Sequence, residues 1–151
     1  VCEMSTVLVV VVDVRHPLLH LPPSLVDYVQ QQLGKPMVVA LMKTDLVDSV
    51  TVAAWMDYLM AKWPSLSIIP VSVYGEKGGK RYVKSKGVID LLAKCREMGR
   101  DSTHVDEWFK LLNRNDHGEV SKGDDNLFTI GFIGHPNVGK SSLINSLVGR
   151  K

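Results

Sequence analysis

The stretch Gly134-His-Pro-Asn-Val-Gly139-Lys140-Ser141 has the form of a complete phosphate-binding loop, Gly-x4-Gly-Lys-Ser. An apolar, β-prone run over residues 127–133 precedes it, and residues 142–148 follow it with the apolar spacing of a helix. Strand, loop and helix therefore occur in the order that this motif requires. The sequence predicts a site for a nucleoside triphosphate.

The residue types of the loop suit phosphate chemistry. Glycines let the backbone curl so that its N–H groups point at phosphate oxygens. We expect Lys140 to reach the β- and γ-phosphates, Ser141 to ligate Mg²⁺, and the following helix N-terminus to add its positive dipole end. The predicted phosphate-binding residues are Gly134, His135, Pro136, Asn137, Val138, Gly139, Lys140, Ser141 and Ser142.

Composition is that of an ordinary globular domain. The chain has 151 residues, 45% hydrophobic and 23% charged, and its net charge of +2 is too small to indicate nucleic-acid binding by itself. The longest apolar run, residues 7–12, is far shorter than the roughly 20 residues of a membrane span. Cys2 and Cys95 lack metal-ligand spacing and indicate reduced thiols of an intracellular protein. Because the chain opens on Val1 beside a predicted strand, we expect both ends to be cut from a longer protein.

Strands and helices alternate along the chain, which predicts a doubly wound α/β fold with a mostly parallel sheet. The first strand, residues 7–12, is a continuous apolar run typical of a strand buried on both faces. The other predicted strands cover residues 37–42, 66–71 and 127–133. The predicted helices cover residues 22–33, a stretch from Asp48 or Ser49 to Pro64, 88–98 and 105–113.

A candidate base-recognition segment follows the second strand. Lys43-Thr44-Asp45 ends in a carboxylate that can accept hydrogen bonds from the N1–H and the exocyclic amine of guanine. Adenine offers no amine there and would leave the carboxylate unpaired. By itself the segment is more typical of an ordinary turn that enters a helix. Ser72 and Val73, one strand later, resemble in position the Ser-Ala turn of guanine-nucleotide proteins, whose backbone N–H meets the guanine O6.

The order of these motifs resembles that of the circularly permuted GTPases, in which the base-recognition motifs precede the phosphate loop. The resemblance rests on Val12-Asp-Val-Arg-His-Pro17, Lys43-Thr-Asp-Leu46 and the loop with Ser142-Leu-Ile-Asn145. It implies one incomplete GTPase domain over residues 1–151, with a loop, helical insertion and linker at 75–126. It implies strand order 4-1-2-3, with strand 127–133 beside strand 7–12 and the second, switch-bearing half of the fold absent.

The resemblance also implies a function. We expect GTP or GDP and Mg²⁺ as ligands, and a ribosome-assembly GTPase whose partner is the pre-ribosomal large subunit or its RNA. Nucleolar, nuclear, cytoplasmic and organellar locations are all compatible with it, and a membrane partner is not expected. The chain contains neither the family's switch Thr segment nor its Asp-x-x-Gly after the loop, so we expect these 151 residues to be a poor enzyme.

Other features leave alternatives open. Met42 replaces the Asn that leads the family's base motif. The alternative function is therefore a non-hydrolysing nucleotide-binding or scaffold module. A third possibility, an adenine-nucleotide enzyme, is disfavoured by Asp45. In similar, potassium-stimulated GTPases an Asn at this place in the loop helps to coordinate K⁺, so the resemblance implies that role for Asn137; the alternative is that it serves the geometry of the loop. The cationic run at residues 77–86 around Tyr82 is either an RNA-binding segment or a solvated loop. The five histidines show no metal or triad spacing, and the three tryptophans indicate packing.

Overall fold

A computed structural model describes residues 1–73, 85–99 and 128–148 of the chain. Its four strands are β1 (Val7–Asp13), β2 (Met37–Met42), β3 (Ser67–Val71) and β4 (Ile130–Ile133). Its α-helices are α1 (Pro17–His20), α2 (Pro23–Asp27), α3 (Ser49–Lys62), α4 (Lys86–Met98) and α5 (Lys140–Val148). A π-helical segment, Tyr28–Gln32, continues α2, and a 3₁₀ turn, Thr44–Leu46, precedes α3.

The four strands form one parallel sheet in the order β3-β2-β1-β4. Read from the other edge, this is the predicted order 4-1-2-3. Strand β4 pairs with β1 in register from Val7 opposite Ile130 to Val10 opposite Ile133, although the two strands are far apart in sequence. Strand β4 is an edge of this sheet, as the permuted order requires.

Both faces of the sheet are covered, which confirms the doubly wound prediction. In β1, Val7, Val9 and Val11 pack in one core cluster with residues of α4 and α5. Leu8, Val10 and Val12 pack in a second cluster with residues of α2, α3 and the π-helical segment. All six side chains are fully buried, so successive residues of the apolar run serve opposite faces.

The helices differ in detail from the sequence prediction. The expected helix over residues 22–33 is α-helical only to Asp27 and then widens, with the Leu33 N–H donating to the Tyr28 carbonyl. The short helix α1 was not predicted. Helix α3 starts at the Asp48 cap, whose carboxylate accepts from the Thr51 N–H at 2.7 Å. The predicted helix at 105–113 lies outside the described residues, as do the linker before β4 and most of the cationic run.

Because all four strands are parallel, their carboxyl ends meet at one edge of the sheet. Asp13 ends β1, Lys43 follows β2, Ser72 follows β3 and Gly134 follows β4. The sheet thus gathers the chemically distinctive residues of four distant segments, as parallel α/β sheets do. In the part of the chain that is described, no helix is long and apolar enough to cross a membrane.

Candidate functional site

The phosphate loop connects β4 to α5, and its backbone needs glycine both for a positive φ and for a close approach to β1. Gly139 has φ of +108° and Asn137 has φ of +62°, a region that Asn tolerates better than most residues. A Cβ at Gly134 would lie 2.6 Å from the carbonyl oxygen of Val11, so this glycine lets the loop start close against β1.

The polar groups of the loop are arranged to hold an anion. The Lys140 ammonium donates to the carbonyls of Gly134 at 2.7 Å and His135 at 2.6 Å, which places its charge across the loop. Among the described residues, the backbone N–H groups of Asn137, Gly139 and Lys140 have no hydrogen-bond acceptor. A helix N-terminus that keeps unpaired donors beside an ammonium fits a phosphate group.

Ser141 and Ser142 follow in the first turn of α5, and both are exposed. A serine hydroxyl at the mouth of a phosphate-binding loop is a hard oxygen donor of the type that Mg²⁺ accepts. The residues present therefore fit a magnesium–phosphate group. Val138, in contrast, is buried, and its packing in the core cluster anchors the loop to the sheet.

The base-recognition residues come together at the ends of β2 and β3. The Ser72 hydroxyl donates to Oδ1 of Asp45 at 2.9 Å, so the predicted carboxylate is oriented by the next strand's serine. Lys43 has a left-handed backbone, φ +63°, and Thr44 opens the 3₁₀ turn that carries Asp45. Val73 is partly buried against the core.

One side chain joins this base-recognition end to the phosphate loop. The Lys43 ammonium donates to the carbonyl oxygen of Asn137 at 2.7 Å and to Oδ2 of Asp13 at 2.9 Å. Two segments separated by more than ninety residues are thereby held in contact. The segments that carry the sequence motifs thus lie next to one another.

Asp13 also lies beside these residues; it belongs to a segment that carries the resemblance, but no site role was predicted for it. It is 3% exposed, and its carboxylate also accepts from Nε and Nη2 of Arg15 at 3.0 and 2.7 Å. Hydrogen bonds from Arg15 and, after them, from Lys43 hold the pKa of Asp13 well below its usual range, although burial opposes this. A polar residue that ends a fully apolar strand was the available signal.

Met42 contacts the loop with its methyl group. Its side chain is 2% exposed, and its Cε lies 3.2 Å from the position that a Cβ on Gly139 would take. An apolar contact therefore stands where the resemblance implies an amide. The residue is part of the core cluster that also contains Val138.

Two histidines also meet beside the loop, a contact that no sequence pattern predicted. The rings of His20 and His135 lie 5.2 Å apart between centroids. Nδ1 of His20 accepts from the Asp13 N–H at 3.2 Å. Burial, and next the nearby His135, lower the pKa of His20. No group of three or more metal-ligating side chains occurs among the described residues.

Comparison with known proteins gives concordant matches. Residues 129–151 match the family described as "50S ribosome-binding GTPase". Guanine nucleotide-binding protein-like 1 of Macaca fascicularis is 30% identical over 201 residues, an alignment that covers 100% of this chain and 33% of that protein. Nuclear GTP-binding protein NUG1 of Saccharomyces cerevisiae is 26% identical, over 100% of this chain and 26% of that protein. The chain thus spans about a third or less of these relatives.

The fold has a counterpart among solved structures. The GDP-bound structure of TM YlqF matches with a TM-score of 0.52 and 22% identity, over 97% of this chain and 44% of that one. The likeness supports the fold, and the strand order places the base-recognition motifs before the phosphate loop. In its motif order, its sheet topology and its homology to guanine nucleotide-binding protein-like 1, the chain is similar to the circularly permuted P-loop GTPases.

Proposed function

We propose that this chain binds a guanine nucleotide, GTP or GDP, with Mg²⁺. The observation that carries the proposal is the Lys43 ammonium, which bridges to the carbonyl of Asn137 and so joins a base-recognition end to a phosphate loop. A nucleotide needs both ends at a fixed separation. Guanine nucleotide-binding protein-like 1 and nuclear GTP-binding protein NUG1, which align along this chain, carry guanine-nucleotide names.

Base selection is assigned to Asp45, with Lys43, Thr44, Ser72 and Val73 around it. The Ser72 hydroxyl at 2.9 Å fixes the orientation of the Asp45 carboxylate before the base arrives. A guanine offers two N–H donors to such a carboxylate, whereas adenine would leave it unpaired, at a cost of about 1–3 kcal/mol or more for a charged group. The stem of Lys43 can cover one face of the ring.

Phosphate binding is assigned to the loop from Gly134 to Ser142. The Lys140 ammonium and the unpaired loop N–H groups hold the β- and γ-phosphates, and the Ser141 hydroxyl ligates Mg²⁺. When bound, the metal neutralises charge between the phosphates. Asn137 is the residue that would help to coordinate K⁺ beside them.

In the full-length protein, the activity that follows is hydrolysis of the γ-phosphate during assembly of the large ribosomal subunit. The match of residues 129–151 to a ribosome-binding GTPase family supports a pre-ribosomal partner, either RNA or protein. A nuclear location is consistent with the name of the yeast relative, nuclear GTP-binding protein NUG1. Cosedimentation of the tagged full-length protein with pre-ribosomal particles tests this role.

A second function has one observation in its favour. Met42 reaches the loop through an apolar methyl group, so this base edge has fewer polar contacts than the family motif implies. A non-hydrolysing nucleotide-binding or scaffold module would accept such a site. It would bind guanine and adenine nucleotides with similar, weak affinity.

Calorimetric titration of GTP, GDP and ATP into the chain separates these functions. The proposed function requires GDP and GTP to bind at least tenfold more tightly than ATP. Asp45→Ala should remove that preference, whereas Asp57→Ala, an exposed carboxylate on α3, should keep it. Equal affinity for guanine and adenine nucleotides in the wild-type chain would favour the scaffold module.

A further inference from the structure

The carboxylate of Asp13 combines burial with an unusual number of donors. Its side chain is 4% exposed and accepts from the Arg15 N–H, Nε and Nη2 and from the Lys43 ammonium, all within 3.0 Å. Arg15 fixes the carboxylate by a two-pronged hydrogen bond, a rigid geometry. A single oriented oxygen, Oδ2, then faces Lys43.

Lys43 needs such a partner to keep its position. Its side chain is 27% exposed, and a four-carbon stem leaves the ammonium many conformations in contact with water. A lone carbonyl acceptor holds an ammonium weakly, whereas a buried carboxylate and a carbonyl together define one place for it. The observed distances of 2.9 Å to Asp13 and 2.7 Å to Asn137 are those of such a bridge.

The bridge has no polar substitute in the part of the chain that is described. The hydrogen bond from Lys43 to Asn137 is the only one there between the segment after β2 and the phosphate loop. The neighbouring contact, from Met42 to Gly139, is apolar. The Lys43 ammonium therefore supplies the polar part of the contact that holds the loop beside the base edge.

We propose that Asp13 is a positioning residue for nucleotide binding. It holds the Lys43 ammonium on the Asn137 carbonyl and so sets the phosphate loop at the correct distance from the base-recognition end of β2. This role rests on the proposed guanine-nucleotide function. Asp13 acts through Lys43 and touches no part of the nucleotide itself.

The sign of one substitution distinguishes positioning from simple electrostatics. Asp13→Asn removes a negative charge near the phosphates, and Coulomb attraction alone would then make nucleotide binding tighter. Loss of positioning makes it weaker, and selectively so for nucleotides whose β-phosphate the loop holds. GMP lacks that phosphate, so its binding should depend much less on the loop.

The test measures GDP affinity by titration and GMP affinity by competition, in wild-type, Asp13→Asn, Lys43→Met and the double variant. We expect Asp13→Asn to weaken GDP about five- to tenfold and GMP less than twofold. The double variant should bind GDP no more weakly than Lys43→Met, because both changes break one bridge. Lys94→Met, which breaks an exposed ion pair on α4, should alter neither affinity.

Several outcomes would overturn this role. Unchanged or tighter GDP binding by folded Asp13→Asn would do so, as would equal losses for GDP and GMP, which signify a general structural defect. If Asp13→Asn does not fold, the partly exposed Lys43→Met must still lower the ratio of GDP to GMP affinity, and an unchanged ratio would overturn the role. A wild-type chain that binds no GDP would instead overturn the proposed function, and this role with it.

Discussion

At the scale of single residues, the site combines one strongly polar contact and one apolar contact between β2 and the phosphate loop. Lys43 supplies the first through its ammonium and Met42 the second through its methyl group. The two residues are adjacent in sequence but have different roles. The Lys43 ammonium binds the loop carbonyl, whereas the Met42 side chain packs in the core cluster. A polar substitution at Met42 should therefore lower the unfolding free energy and raise the affinity for a guanine nucleotide.

The first prediction concerns Met42→Asn. An amide at this position can donate one hydrogen bond to the base or the loop, so GDP should bind more tightly by about 1 kcal/mol. Because the side chain is buried, the unfolding free energy should fall by about 1–3 kcal/mol. Calorimetry and urea denaturation check the two effects. Met37→Asn, at the opposite end of β2 and equally buried, should lower stability without improving affinity.

The second prediction concerns the chemistry of base choice at Asp45. Asp45→Asn replaces an acceptor by a group that also donates, so preference should move toward xanthine nucleotides, whose carbonyl replaces the guanine amine. Competition between GDP and xanthosine diphosphate measures the change. A retained preference for guanine would mean that this carboxylate does not read the base, even though Ser72 orients it.

The third prediction concerns pH and His20. Burial, and next His135, lower the pKa of His20 in the folded chain, and its Nδ1 accepts from the Asp13 N–H, which requires an unprotonated nitrogen. The unfolded chain, with an ordinary histidine pKa near 6.5, then binds more protons than the folded chain as pH falls. Stability should be full above about pH 6.5 and decrease below it. Urea denaturation at pH 7 and pH 5 should show a smaller decrease in His20→Asn, and equal decreases would contradict this account.

At the scale of the elements, α4 packs against the end of β3 through a glycine. A Cβ on Gly87 would lie 2.4 Å from the Pro70 carbonyl oxygen and 2.9 Å from the Cα of Val71. Both are backbone atoms close to Ser72, so they cannot move without shifting the base-recognition end of β3. The close approach of α4 thus helps to place this end of the sheet.

The fourth prediction follows from that approach. Helix propensity alone would make Gly87→Ala stabilising by about 0.5–1 kcal/mol. The backbone contact reverses the sign, and we expect a loss of about 1–3 kcal/mol in unfolding free energy. Ile89→Ala, an exposed position in the same helix, should change stability by about 0.5 kcal/mol or less. A stabilising Gly87→Ala would show that α4 can move away from β3 at little cost.

At the scale of the whole molecule, the sequence predicted those features that depend on local pattern. The apolar run in β1 indicated burial on both faces. The pairing of β4 with β1 was implied by the resemblance to the circularly permuted GTPases, and both expectations are confirmed. The contacts of Asp13 and the meeting of His20 with His135 join segments that no spacing relates. Such contacts depend on the positions of α1 and the loop relative to the sheet. No periodicity or motif in a single sequence predicts those positions.

The fifth prediction concerns what these 151 residues do as a unit. The loop donors that hold a β-phosphate are local to residues 134–142, so GDP and GTP should both bind. The 151 residues contain no Asp-x-x-Gly segment to contact the γ-phosphate, so the two affinities should be about equal. Hydrolysis should stay near background even with K⁺ added, because the resemblance assigns orientation of the attacking water to switch segments that are not among these 151 residues.

The variant Lys140→Ala tests whether the phosphate loop is responsible for nucleotide binding by the 151-residue chain. Loss of its ammonium should weaken the binding of GDP and of GTP by a similar amount, about 1.5–3 kcal/mol. The reason is that the ammonium lies across the loop, where both nucleotides would place their β-phosphate. Titration of each nucleotide and a phosphate-release assay at low and high K⁺ measure binding and turnover separately. Robust GTP turnover by this chain that disappears in Lys140→Ala would place the catalytic groups within these residues, and a large preference for GTP over GDP would reveal a γ-phosphate contact among them.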